Sequence, residues 1–350
     1  MGTWLTKIYK TWLYLIIILK YPINKNDQEI AKLDKFFEDD LNFCPECFPV
    51  DCTKLANEIE FTEDFIGTLN NLFGVKQTRY EKHDRIYDRQ GSESILKDLF
   101  FEKSRIDGFQ YCPAEKVDNF VKFIAGGFSN FSTWVQMNVN IQPLILPILN
   151  IYDFPVPNFY GSCGFTIYES YEGIPLVHFY SYPFIFKANI AIQLLEAALK
   201  FTEGFNGYKM YLTDMNPDNI VYNEETDKVV FIDLDNIIVV DSTCKPKKSG
   251  THRHEFIECN GCFAYVPEEI CSYNESDLNI FSICQLLRED LYGDVTKGFL
   301  HPLPGDLNRV NSEKLRKLLD LCVRCEGEYC ANRLHTAKLL IEYFKNLVSE

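Results

Sequence analysis

Four side chains at the edges of apolar runs stand out for their chemistry: Asp214, Asn219, Asp233 and Asp235. They fall within YLTDMNPDNIVYNEETDKVVFIDLDN (211–236), which holds five aspartates and four asparagines beside runs suited to a packed interior. Carboxylate and amide oxygens are the donors that hard divalent cations prefer. If Asp233, Asp235 and Asn219 face one cleft, repulsion between the two carboxylates makes cation binding stabilising. The alternative is purely local: Asp214 bonding its own loop backbone, Asn219 a turn residue, Asp233 a cap at a strand end.

The elements that must position these groups follow from periodicity. ANIAIQLLEAALKFTEGF (188–205) has a helical period closed by Gly204. A loop follows, then a short strand at 220–222, a turn at 224–227 and a strong strand at 228–232 that ends at Asp233. Upstream, FPVPNFYGSCGFTIYESYEGIPL (154–176) reads as two strands joined by a turn at 161–164, and CPAEKVDNFVKFIAGG (112–127) as a helix after Pro113. Residues 58–151 are mixed in pattern, with strand candidates at 74–80 and 85–87. Downstream, SDLNIFSICQLL, SEKLRKLLDLC and HTAKLLIEYFKNLV each carry an apolar helical stripe.

Composition narrows the class. The 350 residues, 46% hydrophobic and 15% aromatic, can bury a large core. A net charge of −15 repels nucleic-acid backbone and anionic membrane surface, so no nucleic-acid partner is expected. Lys7 and Lys10 precede the apolar run TWLYLIIIL, a layout that predicts a signal peptide or a short signal anchor over 1–25; membrane contact is expected only through that segment if it is uncleaved. Thirteen cysteines suit an oxidising compartment, with Cys44/Cys47, Cys259/Cys262 and Cys322/Cys325 in C-x-x-C pairs that read as disulfide or, alternatively, zinc sites. Asn130 in NFS and Asn274 in NES fit the glycosylation sequon. Together these predict a chain of the ER or Golgi lumen, or a secreted one.

The order of helix, loop, hairpin and strand-end carboxylate is the layout by which protein-kinase-like folds present metal-binding groups to a phosphate. LTDMNPDNI (212–220) matches the catalytic-loop pattern H-R-D-x-x-x-x-N at Asp214 and Asn219. Nineteen residues beyond Asp214, Asp233 opens IDLD at the place of D-F-G; YVPEE (265–269) stands at the place of A-P-E, and Asp277 where the large central helix begins. With CPECFPVDC, FPVPNFYGSCGFTIYESYEG, KVVFIDLDNIIVVDS and RLHTAKLLIEYFKNL, the chain from about Asp40 onward resembles the divergent protein kinase domain family, in the branch of deleted-in-autism protein one and its close relative.

The resemblance implies an α+β, protein-kinase-like two-lobed fold with a mostly helical C-lobe and a cysteine-rich N-terminal cap. The expected division is cap 26–57, N-lobe 58–172 and C-lobe 173–350. It further implies a luminal or secreted protein using ATP with Mg or Mn, Asp214 as base toward a substrate hydroxyl, Asn219 and Asp233 as metal ligands, and Glu169 in the hinge segment that meets an adenine. A protein substrate or a receptor is the implied partner.

Departures bear on activity. Leu212-Thr213 replaces the His-Arg pair, removing the arginine that would grip a phosphorylated activation segment, so control of that kind is not expected. Asp235 replaces the glycine of D-F-G, and no G-x-G-x-x-G loop precedes it. Where a phosphate-pairing lysine is expected, RIYDRQGS offers Asp88; Lys97 is the substitute, eighteen residues before Glu115, its alternative being a solvated lysine on a helix. Two functions stay open: a metal-dependent phosphotransferase, and a pseudokinase that acts as a luminal or secreted binding protein. A zinc-binding scaffold resting on the C-x-x-C pairs is a third.

Overall fold

The computed structural model describes residues 108–349, apart from 127, 164–165, 256–264, 291, 304–305, 307–311 and 325–331, together with the backbone of Tyr14–Ile16. The expected cap, the strand candidates at 74–80 and 85–87, Lys97 and the C-x-x-C pair Cys259/Cys262 lie outside the described residues. The strands are β1 (Tyr14–Ile16), β2 (Gln110–Cys112), β3 (Phe159–Cys163), β4 (Thr166–Glu169), β5 (Ile174–Pro175), β6 (Tyr208–Leu212), β7 (Ile220–Asn223), β8 (Lys228–Phe231) and β9 (Ile237–Asp241). The α-helices are α1 (Val117–Ile124), α2 (Asn130–Val139), α3 (Gln142–Ile151), α4 (Phe184–Glu203), α5 (Pro267–Ile270), α6 (Leu278–Arg288), α7 (Ser312–Val323) and α8 (Arg333–Ser349).

The chain divides into two compact units, one of residues 1–108, 118–151 and 156–171, the other of 109–117, 152–155 and 172–350. In the first, β4 lies between β1 and β3, parallel to one and antiparallel to the other. Part of the expected leader thus supplies β1. Gly161, expected in the turn, instead lies within β3, where the register shifts between Phe159 and Gly161. A bulge spends its extra residue inside the strand, and periodicity cannot separate that from a turn. Helices α2 and α3 occupy sequence whose mixed pattern gave no helix. Each is buried over most of its length, Trp134, Ile145, Leu146 and Leu149 among the covered residues; α2 buries the polar Ser132, Thr133 and Gln136 beside its apolar residues, α3 is apolar nearly all round, and neither pattern shows an amphipathic stripe.

The second unit is built on α4. Its alanines, leucines and isoleucines pack against α6, α8, β6 and β8, and Phe184, Ala191, Leu194, Ala198 and Phe201 are at most 1% exposed. The helix begins after Pro183 and ends at Gly204, whose φ of +76° suits a residue without a side chain; an added Cβ would lie 1.9 Å from the Tyr208 carbonyl oxygen. Helix α8 buries Arg333, Ala337, Leu340, Ile341 and Phe344, the three-and-four spacing of one helix face. Two short sheets complete the unit: β2-β9-β6, with β2 parallel to β9, and β5-β7-β8, antiparallel throughout.

Among the described residues, two disulfides staple this unit. Cys284 of α6 bonds Cys322 of α7, and Cys112 at the end of β2 bonds Cys271 just after α5. Cys322 therefore pairs 38 residues back rather than within its C-x-x-C neighbourhood, because helix packing, not sequence proximity, sets which thiols meet. Among the described residues, no helix is long and apolar enough to cross a membrane.

Candidate functional site

Two antiparallel pairs create the site. β6 runs against β9 up to Leu212 opposite Ile237, while β7 runs against β8 from Ile220 opposite Phe231. The loop from β6 to β7 (213–219) and the loop from β8 to β9 (232–236) therefore span the same two sheets and lie side by side. They are tied at both ends. The Thr213 N–H and hydroxyl both donate to the Asn236 carbonyl, at 3.1 and 2.9 Å, and the Ile232 N–H donates to the Asn219 carbonyl at 3.0 Å. Asp214 thus follows one tie, and Asp233 is the residue after the other.

Within the first loop, Asn216 acts as the organiser. Its amide nitrogen donates to Oδ1 of Asp214 at 2.8 Å, and its amide oxygen accepts from the N–H groups of Asp218 and Asn219 at 2.9 and 3.1 Å. The Asn219 side chain donates back to the Asp214 carbonyl at 3.1 Å, which fixes the amide and leaves its oxygen for another partner. Asn219 is 7% exposed, Asp214 half-buried. Met215, 2% exposed, anchors the loop in the core.

The second loop turns on Asp233, whose φ of +60° places it in the left-handed region that aspartate tolerates better than most residues. The backbone freedom expected at Asp235, the position of the absent glycine, is required two residues earlier. Asp235 accepts a hydrogen bond from the Asn236 side chain, so its carboxylate is held within the same turn. Leu234, 2% exposed, anchors this loop as Met215 anchors the other, each burial contributing about 2 kcal/mol.

Behind the loops stands a residue that sequence reasoning passed over. Asn279 on α6, fully buried, accepts from the Leu212 N–H at 3.0 Å and donates to the Met210 carbonyl at 2.8 Å and Thr202 Oγ1 at 3.1 Å. It holds the last residues of β6, and so the base of the Asp214 loop. The available signal was a polar residue in the apolar stripe of SDLNIFSICQLL.

The segment after β9 is pinned by polar contacts to the stretch 269–277. The Lys248 ammonium bonds Glu269 at 2.8 Å, Thr251 Oγ1 donates to Glu275 at 3.0 Å, and the His252 imidazole meets Ser276 Oγ at 2.9 Å. Asp277, at the start of α6 as expected, accepts from the His254 N–H at 2.6 Å and from Arg333 at 2.7 Å. Arg333, 3% exposed, also donates to the carbonyls of Cys322, Val323 and His254, and lies over the Phe281 ring at 5.0 Å. Burial pushes the Asp277 carboxyl upward, with Arg333 and the His254 N–H opposing. A polar cavity of about 960 Å³ opens here, between 249–255, Glu269, Asp277 and Arg333. It lies apart in sequence from the Asp214 and Asp233 loops, and its walls hold none of their residues.

Of the other expected site residues, Glu169 is 2% exposed at the end of β4, in the first unit. Lys97 lies outside the described residues. Glu115, its expected partner, is solvent-exposed on a short 3-10 turn ahead of α1. As a donor set, Asn219 with Asp233 and Asp235 supplies only hard oxygens, the chemistry of magnesium or manganese shared with phosphate oxygens rather than of an all-protein cage. Among the described residues, no three His, Cys, Asp or Glu side chains cluster as a metal centre.

Comparisons with known proteins give the family. The family described as the protein-kinase domain of FAM69 matches residues 133–325, over half of the chain and a narrower stretch than one starting near Asp40. Curated relatives called divergent protein kinase domain 2A, from Xenopus tropicalis and from Homo sapiens, are 28% and 27% identical over 218 residues, 59% of this chain. The chain spans about half the length of those relatives. No solved structure matches it. The matched family contains both loops and the central helix behind them, and this chain belongs to it: a divergent member of the kinase-like proteins, in the family of the FAM69 protein-kinase domain.

Proposed function

We propose that this chain is a protein of the secretory pathway whose two units are the lobes of a kinase-like fold, and that it binds ATP with magnesium or manganese for phosphoryl transfer to a hydroxyl. The observation that carries the reading is the double tie between the two loops, Thr213 to Asn236 and Asn219 to Ile232, which brings Asp214, Asn219 and Asp233 to one end of two sheets. When bound, the metal supplies charge neutralisation at the phosphates. Asn219 and Asp233 hold it, and Asp214, kept in place by Asn216, accepts the proton of the substrate hydroxyl. On this reading Glu169, the last residue of β4, belongs to the segment that meets the adenine. The two disulfides support an oxidising compartment.

A second reading, a pseudokinase that acts as a luminal or secreted binding protein, is favoured by the departures of the sequence: Asp88 stands where a phosphate-pairing lysine is expected, and no G-x-G-x-x-G loop precedes Asp233. Thr213 replaces arginine, and its side chain is consumed by the Asn236 carbonyl. The segment after β9 is held instead by Lys248, Thr251 and His252. A thermal-shift titration with ATP, with and without magnesium and manganese, followed by a turnover assay on the same protein, separates the two. Metal-dependent stabilisation with turnover supports the transferase, stabilisation without turnover supports a nucleotide-binding pseudokinase, and no nucleotide or metal response overturns the transferase and favours a binding protein whose cleft is a relic.

A further inference from the structure

Two asparagines meet the N-x-S sequon, Asn130 in NFS and Asn274 in NES; the sequon serines Ser132 and Ser276 are both fully buried, and the difference lies in the asparagines themselves. Asn130 is the first residue of α2 and is solvent-exposed. The capping of that helix falls to its neighbour: the Ser129 side chain accepts from the Ser132 N–H at 3.1 Å. The Asn130 amide is thus not spent on the helix start, where asparagine is otherwise a favoured cap. A bulky, hydrated substituent on its nitrogen would project into solvent without displacing a packed group.

Asn274 is placed differently. It is half-buried, and its amide nitrogen, the atom that a glycan would occupy, donates to the Ser242 carbonyl at 3.1 Å. The next two residues are held as well. Glu275 pairs with Lys209 and Thr251, and the fully buried Ser276 donates its N–H to the Tyr211 hydroxyl at 2.8 Å. A sugar on Asn274 would leave the amide a single N–H and set a bulky group beside the Ser242 carbonyl, within the stretch that pins the segment after β9.

We infer that the folded protein carries an N-linked glycan at Asn130 and none at Asn274, an inference that rests on the secretory-pathway reading above. In the reaction the Asn130 amide nitrogen forms a bond to the anomeric carbon of a lipid-pyrophosphate-linked oligosaccharide. The bond from that carbon to the pyrophosphate oxygen breaks, the pyrophosphate leaves with the electron pair, and the amide gives up one proton. Transfer takes place on the unfolded chain, and the fold then decides which modified chain reaches the native state.

The test is the full chain expressed in cultured animal cells and treated with peptide N-glycosidase in ¹⁸O water. Gel mobility, mass spectrometry of the two sequon peptides and the state of the Cys284 and Cys322 thiols are read together. One mobility step, ¹⁸O-aspartate at position 130 alone, and loss of the step in Asn130→Gln but not in Asn274→Gln are expected. Label at position 274, or no step in a protein whose Cys284–Cys322 bond is formed, overturns the proposal and leaves the secretory reading standing. No step together with free Cys284 and Cys322 thiols overturns both. Site mapping on the unsubstituted chain keeps the result independent of how either variant folds.

Discussion

The Asn216 amide donates to the Asp214 carboxylate at 2.8 Å while its oxygen receives two backbone N–H groups of the same loop. One uncharged side chain therefore sets both the orientation of the carboxylate and the shape of the loop that carries Asn219. Asn216→Ala removes three hydrogen bonds at a partly exposed site, each contributing about 1 kcal/mol at most. A loss of roughly 1–3 kcal/mol in urea denaturation is expected. A loss below a few tenths of that range would mean that water replaces the amide without cost.

Magnesium or manganese is expected to raise the melting temperature, by the equivalent of about 2.7 kcal/mol at a hundredfold excess over Kd. Asp233→Asn should remove most of the rise and, if the Asp233 and Asp235 carboxylates face one cleft, leave the metal-free protein unchanged or more stable. An undiminished metal response in that variant would place the ion elsewhere.

Arg333 and Asp277 form a buried pair whose removal leaves an uncompensated charge. Arg333→Met is expected to cost about 3–5 kcal/mol. Arg333→Lys restores the charge but not the planar fork that reaches the Cys322, Val323 and His254 carbonyls, and should recover less than half of the loss. Full recovery by lysine, measured by denaturant midpoint, would reduce the role of Arg333 to charge alone.

Burial holds the His252 imidazole below the ordinary histidine range; Lys248 and Arg333 push in the same direction, and Asp277 and Glu269 oppose. The unfolded chain then binds the proton first as pH falls through about 6.5, so stability is full above that value and declines below it. Urea midpoints taken from about pH 7.5 to 5 should fall less steeply in His252→Gln than in the parent. Parallel curves would assign the decline to other groups.

Replacing Cys284 and Cys322 together by alanine opens a loop of 38 residues. The loss in stability is expected near 4 kcal/mol on the chain-entropy account. Peptide mapping of the non-reduced protein should recover the 284–322 and 112–271 linkages, and with Cys244 reactive to alkylation among the described cysteines. A mapped bond between Cys322 and Cys325 would contradict the helix packing of α6 on α7.

Much of the site was legible in the sequence because it is local. The Asp214 to Asn219 spacing, the turn at 224–227 and the strand ending before Asp233 are set by short-range propensity, and they fix the two loops before any packing is known. Gly204 ends α4 and Asp277 begins α6 for similar local reasons. What local pattern could not supply was every relation that joins distant segments. Asn279 meets Leu212 across 67 residues, Arg333 meets Asp277 across 56, and Cys112 meets Cys271 across 159. Nothing in the spacing of these residues distinguishes them from solvated polar groups or unpaired thiols. Only burial does, because a polar group removed from water must find its partner inside the protein. The buried helices α2 and α3 escaped for the converse reason: an element covered on most sides has no polar face to reveal its period. The sequence by itself determined that Asp214, Asn219 and Asp233 stand at or beside strand ends. Tertiary structure decided that the two loops lie side by side, because the pairing of β6 with β9, across the intervening β7–β8 hairpin, is a long-range choice of register.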